Sequence, residues 1–301
     1  MATGESRDGT SHGHSKRQRL QLLDVTGLPE DGPESAGPWA TTVSLAKACI
    51  EVAERQRAAA DLRLPYSNVD VRRLPPGADL GGLAAQLGAL ARLKELNLGS
   101  SRLSGQLQLL LGTLQGPLES LELPFCSLLP CDLCYLSQSP HAPALKKLDL
   151  SGNNLSASLL QPFVELLVAA AASLLHLDVM ECRLRDAQLQ ALLPPLQRCA
   201  RLRSLGLFGN PLSMAALRAL LLGTAPLPDL RLVVYPYPVD CYRDDLPPSS
   251  SSSFLSDGAV DEERLARAAA ELQDLLRSAG RADAVWTTSL SAPGVPDCIE
   301  L

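Results

Sequence analysis

The chain has 301 residues, of which 46% are hydrophobic and only 4% aromatic, and a formal net charge of −6. That length and apolar content support a substantial core built on leucine and alanine, and the negative balance excludes the basic footprint of a nucleic-acid binder. No apolar run is long enough to span a bilayer and the N-terminus has no signal-peptide core, so the 8 cysteines read as reduced thiols in the cytoplasm, with the nucleus as the alternative.

Residues 1–19 are polar and read as a disordered tail. Its Lys16, Arg17 and Arg19 read as a solvated face rather than an import signal. A solenoid is expected over 20–242. Its first unit is LQLLDVT, with Leu20, Leu23 and Val25 at offsets 0, 3 and 5, followed by a Gly/Pro loop and a helix from Trp39 to Arg57. A second strand is expected at Leu62 and Leu64, counted from Ala59, with SNVDVRRLPPGAD as an inserted loop.

Five strong copies of one template follow. They begin at Leu93, Leu118, Leu145, Leu174 and Leu202, spaced by 25, 27, 29 and 28 residues. Each has aliphatic residues at offsets 0, 3, 5 and 10, as in LKKLDLSGNNL (Leu145, Leu148, Leu150, Leu155). Offset 8 carries Ser101, Cys126, Asn153, Cys182 and Asn210. This is the strand-and-turn pattern of a leucine-rich repeat, in which offsets 3 and 5 face the core and a polar group at offset 8 satisfies backbone at the turn. Between the strands, helices are expected after Ser104, Ser156, Asp186 and Ser213, with Gly223 as a stop, and a helix of about two turns between Leu128 and His141.

The repeat is expected to decay after LPDLRLVVYPYP, giving way to a Ser/Pro-rich linker at 243–258. A helical cap follows at 259–288, its apolar face marked by Leu265, Leu272, Leu275 and Leu276, ended by Gly280 and backed by Trp286. Residues 289–301 read as a flexible tail. The fold class is therefore α/β: a leucine-rich-repeat solenoid, or horseshoe, with parallel strands on the concave face and helices on the convex one.

Catalytic chemistry finds little support. Cys126, Cys131 and Cys134 have the C-x4-C-x2-C spacing of some iron–sulfur ligands, but Cys126 already serves as an offset-8 residue. His141 and His176 are the histidines outside the tail, and no nucleophile elbow or phosphate loop accompanies them. No enzyme activity, cofactor or metal is expected. The concave face is more informative. Offset 4 reads Arg63, Asn97, Glu122, Asp149, Asp178 and Gly206, with three acids on adjacent rungs. Like charges opposite one another are unfavourable, and a partner bringing Lys or Arg would relieve them. Lys147 and His176 at offset 2 offer partial compensation, and Pro124, Met180 and Phe208 at offset 6 an apolar patch. Glu122, Asp149, Asp178, Lys147, His176, Met180 and Phe208 are thus the candidate partner-binding residues; an ordinary solvated face is the alternative.

Longer segments carry a resemblance. LESLELPFCSLLPCDLCYLSQSPHAPALKKLDLSGNNLS, ECRLRDAQLQALLPPLQRCARLRSLGLFGNPLS and YPYPVDCY closely resemble the PRAME family, as do RLQLLDVTGLPEDG and LQDLLRSAGRADAVWTT. The resemblance covers most of residues 16–288. It implies a cytosolic horseshoe that binds proteins. For the branch these segments match, it implies damping of Toll-like-receptor and NF-κB signalling by engaging an I-kappa-B kinase subunit, the beta subunit being the expected one. Other family members are similar to substrate receptors of cullin-RING ubiquitin ligases. Their helical N-terminal region carries an elongin/cullin-docking box. A polar tail stands there in this chain and further repeats are missing near Arg57–Ala58, so elongin and cullin are the less expected partners.

Overall fold

A strand that buries leucines at offsets 3 and 5 leaves its backbone groups to be paired by the strands before and after it. A computed structural model describes residues 23–24, 68–74, 77–156, 158–243 and 260–289. It joins them into a single parallel sheet of nine strands in chain order: β1 Leu23–Asp24, β2 Asn68–Asp70, β3 Glu95–Asn97, β4 Ser120–Glu122, β5 Lys147–Asp149, β6 His176–Asp178, β7 Ser204–Gly206, β8 Leu232–Val234 and β9 Val285–Thr287. One register runs through it, placing Leu23, Val69, Leu96, Leu121, Leu148, Leu177, Leu205, Val233 and Trp286 on neighbouring rungs. The aliphatic residues at offsets 0, 3, 5 and 10 of the five strong repeats are all at most 5% exposed.

Helices alternate with the strands: α1 Leu80–Ala89, α2 Leu107–Leu111, α3 Pro130–Gln138, α4 Leu160–Ala170, α5 Asp186–Gln197, α6 Met214–Thr224 and α7 Glu262–Ser278. Packed helices sit about 8–10 Å apart and paired strands about 4.8 Å, so stacking the two layers side by side bends the sheet inward. That puts the strands on the concave side.

The ladder continues past each strand. Leu123 N–H donates to Asp149 O (2.8 Å) and Phe125 N–H to Ser151 O (2.7 Å), with equivalent pairs on the neighbouring rungs. The offset-7 residue then turns the chain. Arg73, Ser100, Phe125, Gly152, Glu181 and Gly209 all have φ between 53° and 73°. At Gly152 no other residue fits without rearrangement, since a Cβ would collide with the Phe125 ring. The following residue stitches the turn to the repeat before. Asn153 Nδ2 donates to Leu123 O (2.9 Å) and Leu150 O (2.8 Å), while its Oδ1 accepts from Leu128 N–H (3.1 Å). Asn210 does the same with Val179 O, Leu207 O and Leu184 N–H. In the alternate repeats the Cys126 and Cys182 thiols donate to Leu98 O and Leu150 O, and their own carbonyls accept from Leu103 and Leu155.

Several expectations need correction. The segment expected to be an inserted loop contains β2; Val69 and Val71 stand at offsets 3 and 5 counted from Tyr66, which restores a spacing of 27 to Leu93. The strand expected at Leu62 and Leu64, the helix at 39–57, the 1–19 tail and all but the ends of the linker and C-terminal tail lie outside the described residues. Ser104 does not cap α2; its hydroxyl donates to Ser127 O. The cap comes from the next repeat, where buried Asp132 accepts from Gly105 (2.8 Å), Leu107 (3.1 Å) and Leu129 (2.9 Å) N–H. α4 begins four residues after Ser156, without a side-chain cap, and α6 runs through Gly223 to Thr224. Ser213 does cap α6, accepting from Ala216 N–H (3.1 Å).

Because Asp132 ties two helix starts at once, Asp132→Ala will lower the unfolding free energy by about 1–2 kcal/mol. Urea unfolding checks this; an unchanged midpoint refutes the double cap.

The sheet does not end after LPDLRLVVYPYP, where the repeat was expected to decay. β8 and β9 extend the sheet, and Trp286 fills a core position in β9, its ring 6.1 Å from that of Tyr235. α7 starts on the Asp261 side chain, buries Leu272 and Leu276, and ends at Gly280 with φ 70°. Arg281 then donates to the carbonyls of Ala225, Leu227 and Leu230, fastening the terminal unit to the end of α6.

Candidate functional site

The register places the offset-4 residues in one row across the concave face: Asp70, Asn97, Glu122, Asp149, Asp178, Gly206. Arg63, the expected first member, lies outside the described residues, and Asp70 is the residue paired with Asn97. The row is therefore more acidic than its leucine spacing suggests.

The acids are not equally compensated. Asp70 is paired with Arg72 at 3.1 Å. Glu122 accepts from Lys147 Nζ (2.7 Å) and Asn97 Nδ2 (3.3 Å). Asp149 is buried, and its Oδ1 accepts from Ser151 N–H (2.8 Å), a local turn that Asn97 repeats with Gly99 (2.9 Å). Asp178 is 5% exposed, and its Oδ2 is a buried atom with no hydrogen-bond partner. The alternative of an ordinary solvated face does not describe Asp149 and Asp178, which are both buried. Gly206 on the next rung has no side chain, so Asp178 leans over it, and Met180 Cε covers the same spot, 2.5 Å from where a Cβ would stand.

Electrostatics follow from this burial. Asp149 is pushed up, chiefly by burial, with the Ser151 hydrogen bonds opposing and Glu122 adding repulsion. Asp178 is pushed up to about 7, again by burial first and then by the Asp149 and Glu122 charges, against an opposing pull from Lys147. His176 does not supply the expected counter-charge. Burial, Lys147 and Arg203 hold it below its ordinary value, so its ring is neutral at pH 7, and Nδ1 lies 2.8 Å from Ser204 Oγ. Lys147 does compensate, through Glu122.

The apolar patch is split. Ser151 occupies offset 6 between Pro124 and Met180, so Met180 and Phe208 are neighbours while Pro124 packs instead over Gly99. Phe208 meets Tyr237 edge-on at 5.8 Å, beside a shallow hollow that Pro211, Pro236, Val239 and Tyr242 also line. Tyr237 was not legible as a site residue, since it follows the last recognised repeat.

The other candidates serve the fold. His141 is buried and accepts from Leu118 N–H at 3.1 Å. Cys126 is buried and raised to about 12, whereas Cys131 and Cys134 lie on the surface of α3, so the three do not face a common point. No described helix is long and apolar enough to cross a membrane.

Residues 79–299 match the family model described as the PRAME C-terminal domain. The Xenopus laevis protein named leucine-rich repeat-containing protein 14 is 58% identical over 242 residues, covering 80% of this chain and 47% of that one. The Homo sapiens protein of the same name is 54% identical over 235 residues, covering 77% and 47%. Human PRAME family member 12 is 39% identical over 177 residues, 59% of this chain and 34% of that protein. The chain thus spans about half the length of the curated relatives named leucine-rich repeat-containing protein 14. A continuous leucine-rich-repeat ladder, the matched C-terminal domain and these identities together assign the chain to the PRAME family.

Proposed function

We propose that the chain is a non-enzymatic interaction module that acts in the cytoplasm as a negative regulator of Toll-like-receptor/NF-κB signalling, binding an I-kappa-B kinase subunit, the beta subunit, on its concave face. The observation that carries the binding face is the in-register run Glu122, Asp149, Asp178, in whose last member one carboxylate oxygen is buried without a hydrogen-bond partner. A basic helix laid across those rungs relieves the repulsion and gains specificity from it. The mechanism is steric: the bound helix is withheld from the kinase's own assembly.

Pull-down with the kinase's helical region tests the partner. Reversing Glu122, Asp149 and Asp178 to lysine together will abolish capture; retained capture excludes the concave site. Family membership also supports a second reading, substrate recognition for a cullin-RING ubiquitin ligase. Elongin co-purifying with this chain favours that reading over the first.

A further inference from the structure

The concave row has a compensated end and an uncompensated one. Asp70 and Glu122 hold cations of this chain, Arg72 and Lys147. Asp149 and Asp178 stand on adjacent paired rungs about 4.8 Å apart, both buried, and one oxygen of Asp178 is unmatched. A buried, unmatched carboxylate oxygen is costly, and the fold accepts that cost at a position covered by Met180.

We infer that the Asp149–Asp178 pair is the seat of one arginine side chain from the bound protein. Its guanidinium sits between the two carboxylates, and its stem lies along Met180 and Phe208. This deepens the concave-face reading and rests on it.

Three features select arginine. Two neighbouring carboxylates match a planar fork of donors better than a single ammonium point charge. A guanidinium is the more weakly hydrated cation, so it enters a buried site at lower cost. Phe208 stands at offset 6 of the next repeat, an aromatic on the same face as the pair. A metal ion fits less well: among the described residues no group of three or more His, Cys, Asp or Glu side chains is arranged to hold one. Met180 closes over the seat, and its three rotatable bonds let it move aside.

The seat also links binding to protons. The charged groups acting on Asp178 are Asp149 and Lys147 on β5 and Glu122 on β4; His176 on its own strand is neutral at pH 7, and Gly206 on β7 carries nothing that titrates. Near neutral pH, Asp178 holds a proton part of the time and must release it to receive a guanidinium. Affinity therefore rises with pH.

The test is anisotropy titration of the full chain with labelled hexa-arginine and hexa-lysine peptides. Hexa-arginine is expected to bind the wild type more tightly than hexa-lysine does, and Asp178→Asn to weaken it by roughly thirtyfold or more. Glu119→Gln, outside the row, is expected to leave it unchanged. Wild-type affinity is expected to rise roughly tenfold from pH 6 to pH 8 and that of Asp178→Asn to stay level. Equal binding of the two peptides, or of wild type and Asp178→Asn, overturns the seat. The kinase helical region, titrated alongside, separates the two readings. If it binds wild type and Asp178→Asn alike, the seat falls and the partner stands. If it binds neither while hexa-arginine distinguishes them, the partner falls and the seat stands.

Discussion

Asn153→Ala will lower the unfolding free energy by about 3–5 kcal/mol, a large part of what a domain has in reserve. The amide is 1% exposed and spans two repeats. Its removal strands the Leu128 N–H and the Leu123 carbonyl within the turn stack, while the Leu150 carbonyl keeps the Cys182 thiol and the backbone N–H of residue 153. Each buried group left unmatched costs about 1–3 kcal/mol, and the side chain leaves a void that its neighbours fill only in part. Cys126→Ala provides the comparison. Its thiol is a weak donor, and Leu103 N–H is held by the Cys126 backbone carbonyl, which the substitution keeps. That change will cost clearly less than Asn153→Ala. Urea denaturation of the two variants measures the difference; equal midpoints refute the role given to the amide.

Asp178→Asn will gain on the wild type as the pH rises, its relative stability at pH 8 exceeding that at pH 4 by about 2–4 kcal/mol. Asp178 is raised from 3.8 to about 7, by burial first and by the Asp149 charge second. Between those values the folded chain retains a proton that the unfolded chain has released. Wild-type stability from this group is therefore greatest at low pH, declines through the window and levels off above pH 7. Asparagine does not titrate, so the variant is spared the decline. Unfolding curves at pH 4, 6 and 8 decide it, and a constant gap between the two proteins disproves the shift. A variant that gains on the wild type with pH yet binds less is what a site selected for a partner rather than for the fold should give.

The strands that repeat leucine at offsets 3 and 5 were legible from spacing, and with them the register that aligns Glu122, Asp149 and Asp178. β2 was hidden because Val69 and Val71 stand where the template asks for leucine, and Tyr66 where it asks for the first one. β9 was hidden because its three residues follow a long helix and present Trp286 rather than an aliphatic. The cap on α2 was assigned to the nearest serine, although the acceptor is Asp132, 25 residues beyond the Leu107 N–H it binds. The solvation of the concave row was hidden in the same way. That Asp178 is buried depends on Gly206 and Met180, and that His176 is neutral depends on its enclosure and on Lys147 and Arg203. Periodicity reports which face a residue takes, whereas its solvation is set by side chains from adjoining turns of the stack.

Each rung of the sheet is hydrogen-bonded to its sequence neighbours, with no crossover joining distant ones. The inner wall is in consequence elastic along its length. Small adjustments shared among many rungs can widen or tighten its arc around an occupant while every bond stays made. An occupant of the proposed concave site would then feel whatever stiffens or loosens the ends of the coil.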